Sequence, residues 1–334
     1  RSIIVDRPFS LVAGALIMVP VINLLGFERH ERYLPDRRDL NRSFPGSKRG
    51  SLARRLARRV FEEIVTRSDF GIDLHTAAMR RTNFPNVRAD MDDPVLADLA
   101  RACGSELIVR SAGPAASLRR TNFPNVRADM TRPELAALAR AFGAELIVSG
   151  QGPAGSLRKA ATASGCPTLI LEAGEVWKVQ PTLVEYGIRG IINCLRHLGM
   201  VAGAPVPPPY RVETDATHWV RAQDGGFLRF HVTPGDQVVK GQRLATNISL
   251  GGRRRNVLRA PRAGIILGMT TLPSVAPGDP VFHIAYTRKG ELSKVVRAVD
   301  KLEDDALHER MYEDLARNVM VVRRPKDGPD KAGR

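Results

Sequence analysis

Aromatic and sulfur-bearing side chains are scarce in this chain, and each scarcity excludes something. Aromatics make up 5% of the 334 residues. The basic residues are also spread along the chain instead of forming one tract, which argues against a specific nucleic-acid reader. Cys103, Cys166 and Cys194 are too few and too unevenly spaced for a disulfide framework, so reducing cytoplasm is the simplest setting. The longest apolar stretch, Phe9 to Phe27, follows Arg1 and Arg7 but is interrupted by Pro20 and Asn23. It reads better as a buried strand, Leu16–Ile22, with a turn at Asn23 to Gly26, than as a membrane anchor. The first residue is Arg, so processing, truncation or a fragment is expected.

What is present in excess is arginine. The chain carries 42 Arg and nine Lys against 35 acidic residues, a formal charge of +16. Such a balance suits nucleic acid, an anionic membrane surface or a small acidic substrate, and composition alone does not choose among them. Hydrophobic content of 43% is ordinary for a globular protein.

Residues 1–203 alternate short apolar runs with helical periodicity, the pattern of an α/β domain. The strand candidates after Leu16–Ile22 are Phe70–Leu74, Glu106–Val109, Glu145–Val148 and Thr168–Glu172. The helix candidates are Ser51–Thr66, Pro94–Ala102, Pro133–Ala141, Ser156–Ser164 and Pro181–Leu198. A proline-rich linker at 204–209 precedes an all-β module at 210–287, punctuated by turns at Asp224-Gly225-Gly226, Pro234-Gly235-Asp236 and Pro277-Gly278-Asp279. Residues 288–334 read as a helix from Glu291 to Asn318 followed by a polar, disordered tail.

The most specific internal feature is a tandem duplication. Residues 80–118 recur as 119–157, and the first twelve residues of the two copies, RRTNFPNVRADM, are identical. Two copies of a loop–helix–strand unit are too few for a solenoid. Only one can fill a given slot in the fold, so the other must extend the sheet, pack outside it or remain poorly ordered.

Three places carry chemistry. Asp73-Leu74-His75-Thr76 follows an apolar strand directly and puts a histidine at its C-terminal end, where open α/β sheets bind ligands; the aspartate can orient it. Glu172 closes the run Thr168–Leu171, and a carboxylate there is costly unless paired or functional. Between Arg32 and Gly46, arginines and Asn41 form a loop with donors for a carboxylate or a polarised carbonyl.

In combination and order, VPVIN at Val19–Asn23, RYLPDRRDLNRSFPG at Arg32–Gly46, DLHT at Asp73–Thr76, GSLR at Gly155–Arg158 and LEAG at Leu171–Gly174 resemble the succinylglutamate desuccinylase/aspartoacylase family, relatives of the zinc carboxypeptidases. The resemblance implies a mixed sheet flanked by helices, then a small barrel-sandwich-like β domain and a C-terminal helix. It implies a zinc-dependent hydrolase that removes an acyl group from a small anionic N-acyl amino acid-like substrate. His75 would be a zinc ligand and Glu172 the general base. Arg32 would polarise the scissile carbonyl, with Asn41, Arg42 and Arg158 holding the substrate. The family's H-x-x-E motif, source of the other two zinc ligands, is absent, since none of the seven histidines has Glu three residues later. By the resemblance that motif belongs upstream of Arg1. The chain as it stands is therefore expected to hold zinc weakly and to be inactive, and a ligand-binding remnant is the alternative. The β module lacks a carrier lysine near Leu258 to Arg262, which points to a structural or gating role.

Overall fold

The computed structural model describes residues 3, 8–76, 87–89, 108–110, 120–175, 178–249, 253–288 and 290–299. Two compact units result. The first takes in the described residues of Arg1–Arg81, Thr121–Thr217 and Thr287–Asp305, and the second those of Thr82–Arg120 and His218–Tyr286.

The first unit is a mixed sheet with helices. Its strands are β1 (Gly71–His75), β4 (Arg120–Ala128), β5 (Leu146–Ser149), β6 (Thr168–Glu175) and β7 (Val212–Thr214). They lie in the order β1-β6-β4-β5-β7. β1 is parallel to β6, β4 antiparallel to β6, and β4, β5 and β7 mutually parallel. The strand β7 follows the proline-rich stretch yet pairs with β5. The linker at 204–209 thus does not end the first unit, which continues to Thr217.

Helices start where their caps predict. α2 (Leu52–Glu63) is capped by the Ser51 hydroxyl, and Ala53, Ala57, Val60 and Phe61 form its buried stripe. This stripe packs into one core with Leu34, Leu40, Phe44 and Ala161. α3 (Pro133–Ala141) and α5 (Pro181–His197) begin on proline at the first helical position, and α4 (Leu157–Ala163) on the Ser156 cap. Where α3 meets α5, Gly190 leaves room for the fully buried Phe142: a Cβ there would lie within van der Waals overlap of the ring, 2.1 Å from Cζ.

Three expectations are corrected. Leu16–Ile22 forms no strand: a buried strand needs a ladder neighbour, Pro20 lacks an N–H, and Ile17 remains 52% exposed. The expected turn at Asn23 to Gly26 is the start of a short helix, α1 (Leu24–Glu28), capped by Asn23. The NFPNVRA segment read as a loop is β4, because the single extra residue between Asn122 and Asn125 makes a bulge that absorbs Pro124. The C-terminal helix is described over Glu291–Val299 as α6, and its expected continuation and tail, like the Pro94–Ala102 helix, lie outside the described residues.

The second copy of the duplication fills the slot in the sheet, supplying β4, α3 and β5. In the first copy the described residues are β2 (Val87–Ala89) and β3 (Ile108–Arg110), a separate parallel pair. Its register, Val87 opposite Ile108, repeats that of Val126 opposite Ile147 in the second copy.

The second unit is antiparallel. β8 (Thr217–Arg221), β15 (Pro280–Tyr286), β13 (Gly264–Thr270) and β10 (Gln237–Val238) lie side by side, and β12 (Arg254–Arg259), β11 (Arg243–Ile248), β9 (Gly226–Phe230) and β14 (Ser274–Val275) form a four-stranded sheet. Phe230, Leu244, Ile266 and Phe282 lie in their common core. Two of its turns are built alike: Gly235 and Gly278 take positive φ after proline, as a type II turn requires. The Asp236 and Asp279 carboxylates accept from the Thr233 and Ala276 N–H groups at 2.7 and 2.8 Å.

Candidate active site

The ladder register gathers the site. His75 on β1 is opposite Glu172 on β6, and Glu172 is opposite Asn125 on β4. Partners across a ladder share a face, so three polar residues cross the sheet in one row. His75 Nε2 and Asp73 Oδ2 share a 2.8 Å hydrogen bond. Burial opposes protonation of His75, but that bond and the charges of Asp73 and Glu172 outweigh it and raise its pKa, with Arg32 opposing.

Arg32, Asn41 and Arg42 lie on one braced loop. Asp39 holds both ends of the motif, with its carboxylate accepting from Arg32 Nε at 2.8 Å and from the Asn41 N–H at 2.9 Å. Asn41 Oδ1 in turn accepts from the Leu157 N–H at 2.8 Å, fixing the first turn of α4 and with it Arg158. Asn41 is thus committed through its oxygen to positioning. Arg42 donates to the Asn41 carbonyl at 2.7 Å and is exposed there. The loop's backbone lies against Gly155, where a Cβ would come within 2.4 Å of the Arg42 oxygen. Asn41→Ala would leave the Leu157 N–H without its acceptor and cost about 1–3 kcal/mol. A lower melting temperature is the expected result, with Asn41→Asp, which keeps the acceptor, melting near the parent.

Arg158 is 6% exposed, and its Nε and Nη1 have no hydrogen-bond partner. Burial and the neighbouring charge of Arg127 push its pKa down to about 10, against the pull of Glu172, Asp73 and Asp129. The sign follows: the folded state disfavours this cation, and the cost is fully present below about pH 10 and relieved as pH rises from there towards the ordinary value of 12.5. Replacing Arg158 with Met, of similar volume and no charge, should therefore stabilise the fold by about 1–4 kcal/mol. Thermal melting at pH 7 checks this, and a lower melting temperature would contradict it.

Asn125 and Arg127 were not singled out from the sequence. Asn125 is fully buried; its Nδ2 donates to the Glu172 carbonyl at 3.2 Å and its Oδ1 accepts from Arg127 Nε at 3.1 Å. Arg127 Nε also lies 4.0 Å from Glu172 Oε1. The available signal was the identical block of the duplication, which contains both residues.

A catalytic zinc takes three protein ligands. Among the described residues no group of three His, Cys, Asp or Glu side chains is placed to hold a metal. The described residues alone do not fit that ion, and His75 is the one proposed ligand among them.

The family model "Succinylglutamate desuccinylase/Aspartoacylase catalytic domain" matches residues 6–129. The chain is 27% identical over 286 residues to N-alpha-acetyl-L-2,4-diaminobutyric acid deacetylase of Halomonas elongata, covering 82% of this chain and 73% of that protein. The fold is shared with a succinylglutamate desuccinylase/aspartoacylase from Rhodobacter sphaeroides at 22% identity and TM-score 0.61, covering 81% and 74% of the two chains. It is shared also with the product-bound ectoine utilization protein EutE (DoeB) from Ruegeria pomeroyi at 21% identity and TM-score 0.62, covering 81% and 75%. Residues 6–129 are thus similar to the catalytic domain of the succinylglutamate desuccinylase/aspartoacylase family.

Proposed function

We propose that the protein is a zinc-dependent deacylase that hydrolyses the amide, or an ester, of a small anionic N-acyl amino acid. The row of His75, Glu172 and Asn125 across three strands, flanked by Arg127 and Arg158, is the observation that carries this reading. Glu172 is the proton acceptor for the attacking water. Arg32 polarises the acyl carbonyl. Arg158 and Arg42 receive the substrate's anionic groups, and Asn41 holds α4 in place. Zinc, with His75 as one ligand, would supply the activated water. Residues 210–287 are taken as a barrel-sandwich-like domain, and the protein as cytoplasmic, acting without specific nucleic acid or membrane. No helix of the described residues is long and apolar enough to cross a membrane.

The Halomonas relative makes N-acetylated diaminobutyrate the first compound to assay. In a protein supplied with an H-x-x-E segment ahead of Arg1, turnover that a chelator removes and Zn2+ restores is expected. The metal-ligand shortfall among the described residues favours a second reading, a ligand-binding remnant of the family. Substrate binding without turnover at any zinc concentration would establish it in place of the first.

A further inference from the structure

We infer that Arg127 is a specificity-determining residue: with Arg158 it forms a two-guanidinium seat for the carboxylate of the substrate. The inference rests on the deacylase reading for the kind of ligand, and on the site's own electrostatics for the rest.

Two cations are held near one another, and one of them is buried. Besides desolvation, the charge of Arg127 is the largest influence disfavouring the Arg158 cation. Repulsion of this kind in a site of low dielectric costs stability unless an anion offsets it. The nearby carboxylates do not complete the seat. Glu172 Oε1 stands 4.0 Å from Arg127 Nε, beyond hydrogen-bond length. Asp73 is bonded to His75 and Asp129 to Thr131. Arg158 Nε and Nη1 remain unpartnered although buried.

The seat is built, not accidental. Asn125, itself fully buried and opposite Glu172 on the ladder, takes Arg127 Nε and so fixes the plane of that guanidinium. Among the described residues, neither terminal nitrogen of Arg127 has a hydrogen-bond partner. Around Arg158, Gly152 takes φ +85, and a Cβ on it would lie 2.9 Å from Nη2. Only glycine lets that loop close over the guanidinium without strain. Two planar forks with free N–H groups match a carboxylate, which accepts several charge-assisted bonds at once. A neutral carboxamide offers one acceptor and adds two donors that would meet cations.

Calorimetric titration of N-acetylglycine and of N-acetylglycinamide into the full chain tests this. The parent protein should prefer the acid by roughly 10- to 100-fold, the worth of a bond to a charged group. Arg127→Gln should reduce that preference to within about threefold, because one fork of the seat is gone. Arg127→Lys keeps the charge without the fork, and an intermediate preference is expected. It also serves as the second variant should the glutamine protein melt at the working temperature. A parent without acid preference, or an Arg127→Gln protein that keeps the parent's, would overturn the inference. Hydrolysis is scored separately, in a protein supplied with an H-x-x-E segment ahead of Arg1, so absence of turnover there would count against the deacylase reading and leave the binding result intact.

Discussion

Deleting residues 119–157 is expected to lower the melting temperature by roughly 10–20 °C, whereas deleting 80–118 should change it by only a few degrees. Either deletion leaves one copy of the unit and restores the same chain path from Met79 or Leu118 onward, so composition hardly differs. The copies diverge at two positions that matter. Phe142, fully buried against Gly190 of α5, corresponds to Cys103 in the first copy. Gly155, at φ +74 with the Arg42 carbonyl where a Cβ would be, corresponds to Ala116. Loss of most of a buried phenyl ring costs about 3 kcal/mol. Alanine in the left-handed region costs a further 1–2 kcal/mol or so, before the backbone contact is counted. These terms are a large share of a typical stability of about 5–15 kcal/mol. They also explain why the second copy is the one in the sheet. Within the deletion of 119–157, Cys103→Phe with Ala116→Gly should restore most of the lost stability. Two deletion proteins of equal stability would show that the slot is chosen by something other than these contacts.

The same two positions show what the sequence could and could not convey. Local signals were legible: Ser51 and Ser156 announced helix starts, Pro133 and Pro181 first turns, and the Pro-Gly-Asp triplets the turns of the β unit. His75 and Glu172 were legible as residues at strand ends, since an apolar run stopping at a polar group is a one-dimensional pattern. What joins them was not. Asn125 reaches Glu172 only through the ladder between β4 and β6, and that ladder forms across a proline which by itself argues for a loop. Arg127 was one arginine among 42, distinguishable only by its neighbours in space. Asn41 was legible as a polar loop residue, but its bond to Leu157 spans 116 positions of the chain. Leu16–Ile22 misled for the reverse reason, because apolarity was present without a strand to pair with.

Glu172→Gln separates chemistry from binding most sharply. The side chains have nearly the same shape, and the bond that Asn125 Nδ2 donates to the Glu172 backbone carbonyl does not involve the Glu172 side chain. The ladder and the row across β1, β6 and β4 should therefore persist. Glutamine cannot accept the proton of an attacking water, so in a protein supplied with an H-x-x-E segment ahead of Arg1, turnover of N-acetylated diaminobutyrate, the first compound to assay, should fall by about 10²- to 10⁴-fold in kcat. Its effect on the ground state has the opposite sign. Glu172 supports the Arg158 cation and competes, as a carboxylate, with any anion entering beside Arg127 and Arg158. Removing its charge makes the seat more positive, and N-acetylglycine should bind several-fold more tightly than to the parent, given interactions of a kcal/mol or so between nearby screened charges. Stopped turnover with tightened binding is a combination that general misfolding does not produce, because a distorted site loses both. If kcat were unchanged, the proton acceptor would be another group. If binding weakened along with kcat, the carboxylate would be holding the site together instead of reacting in it.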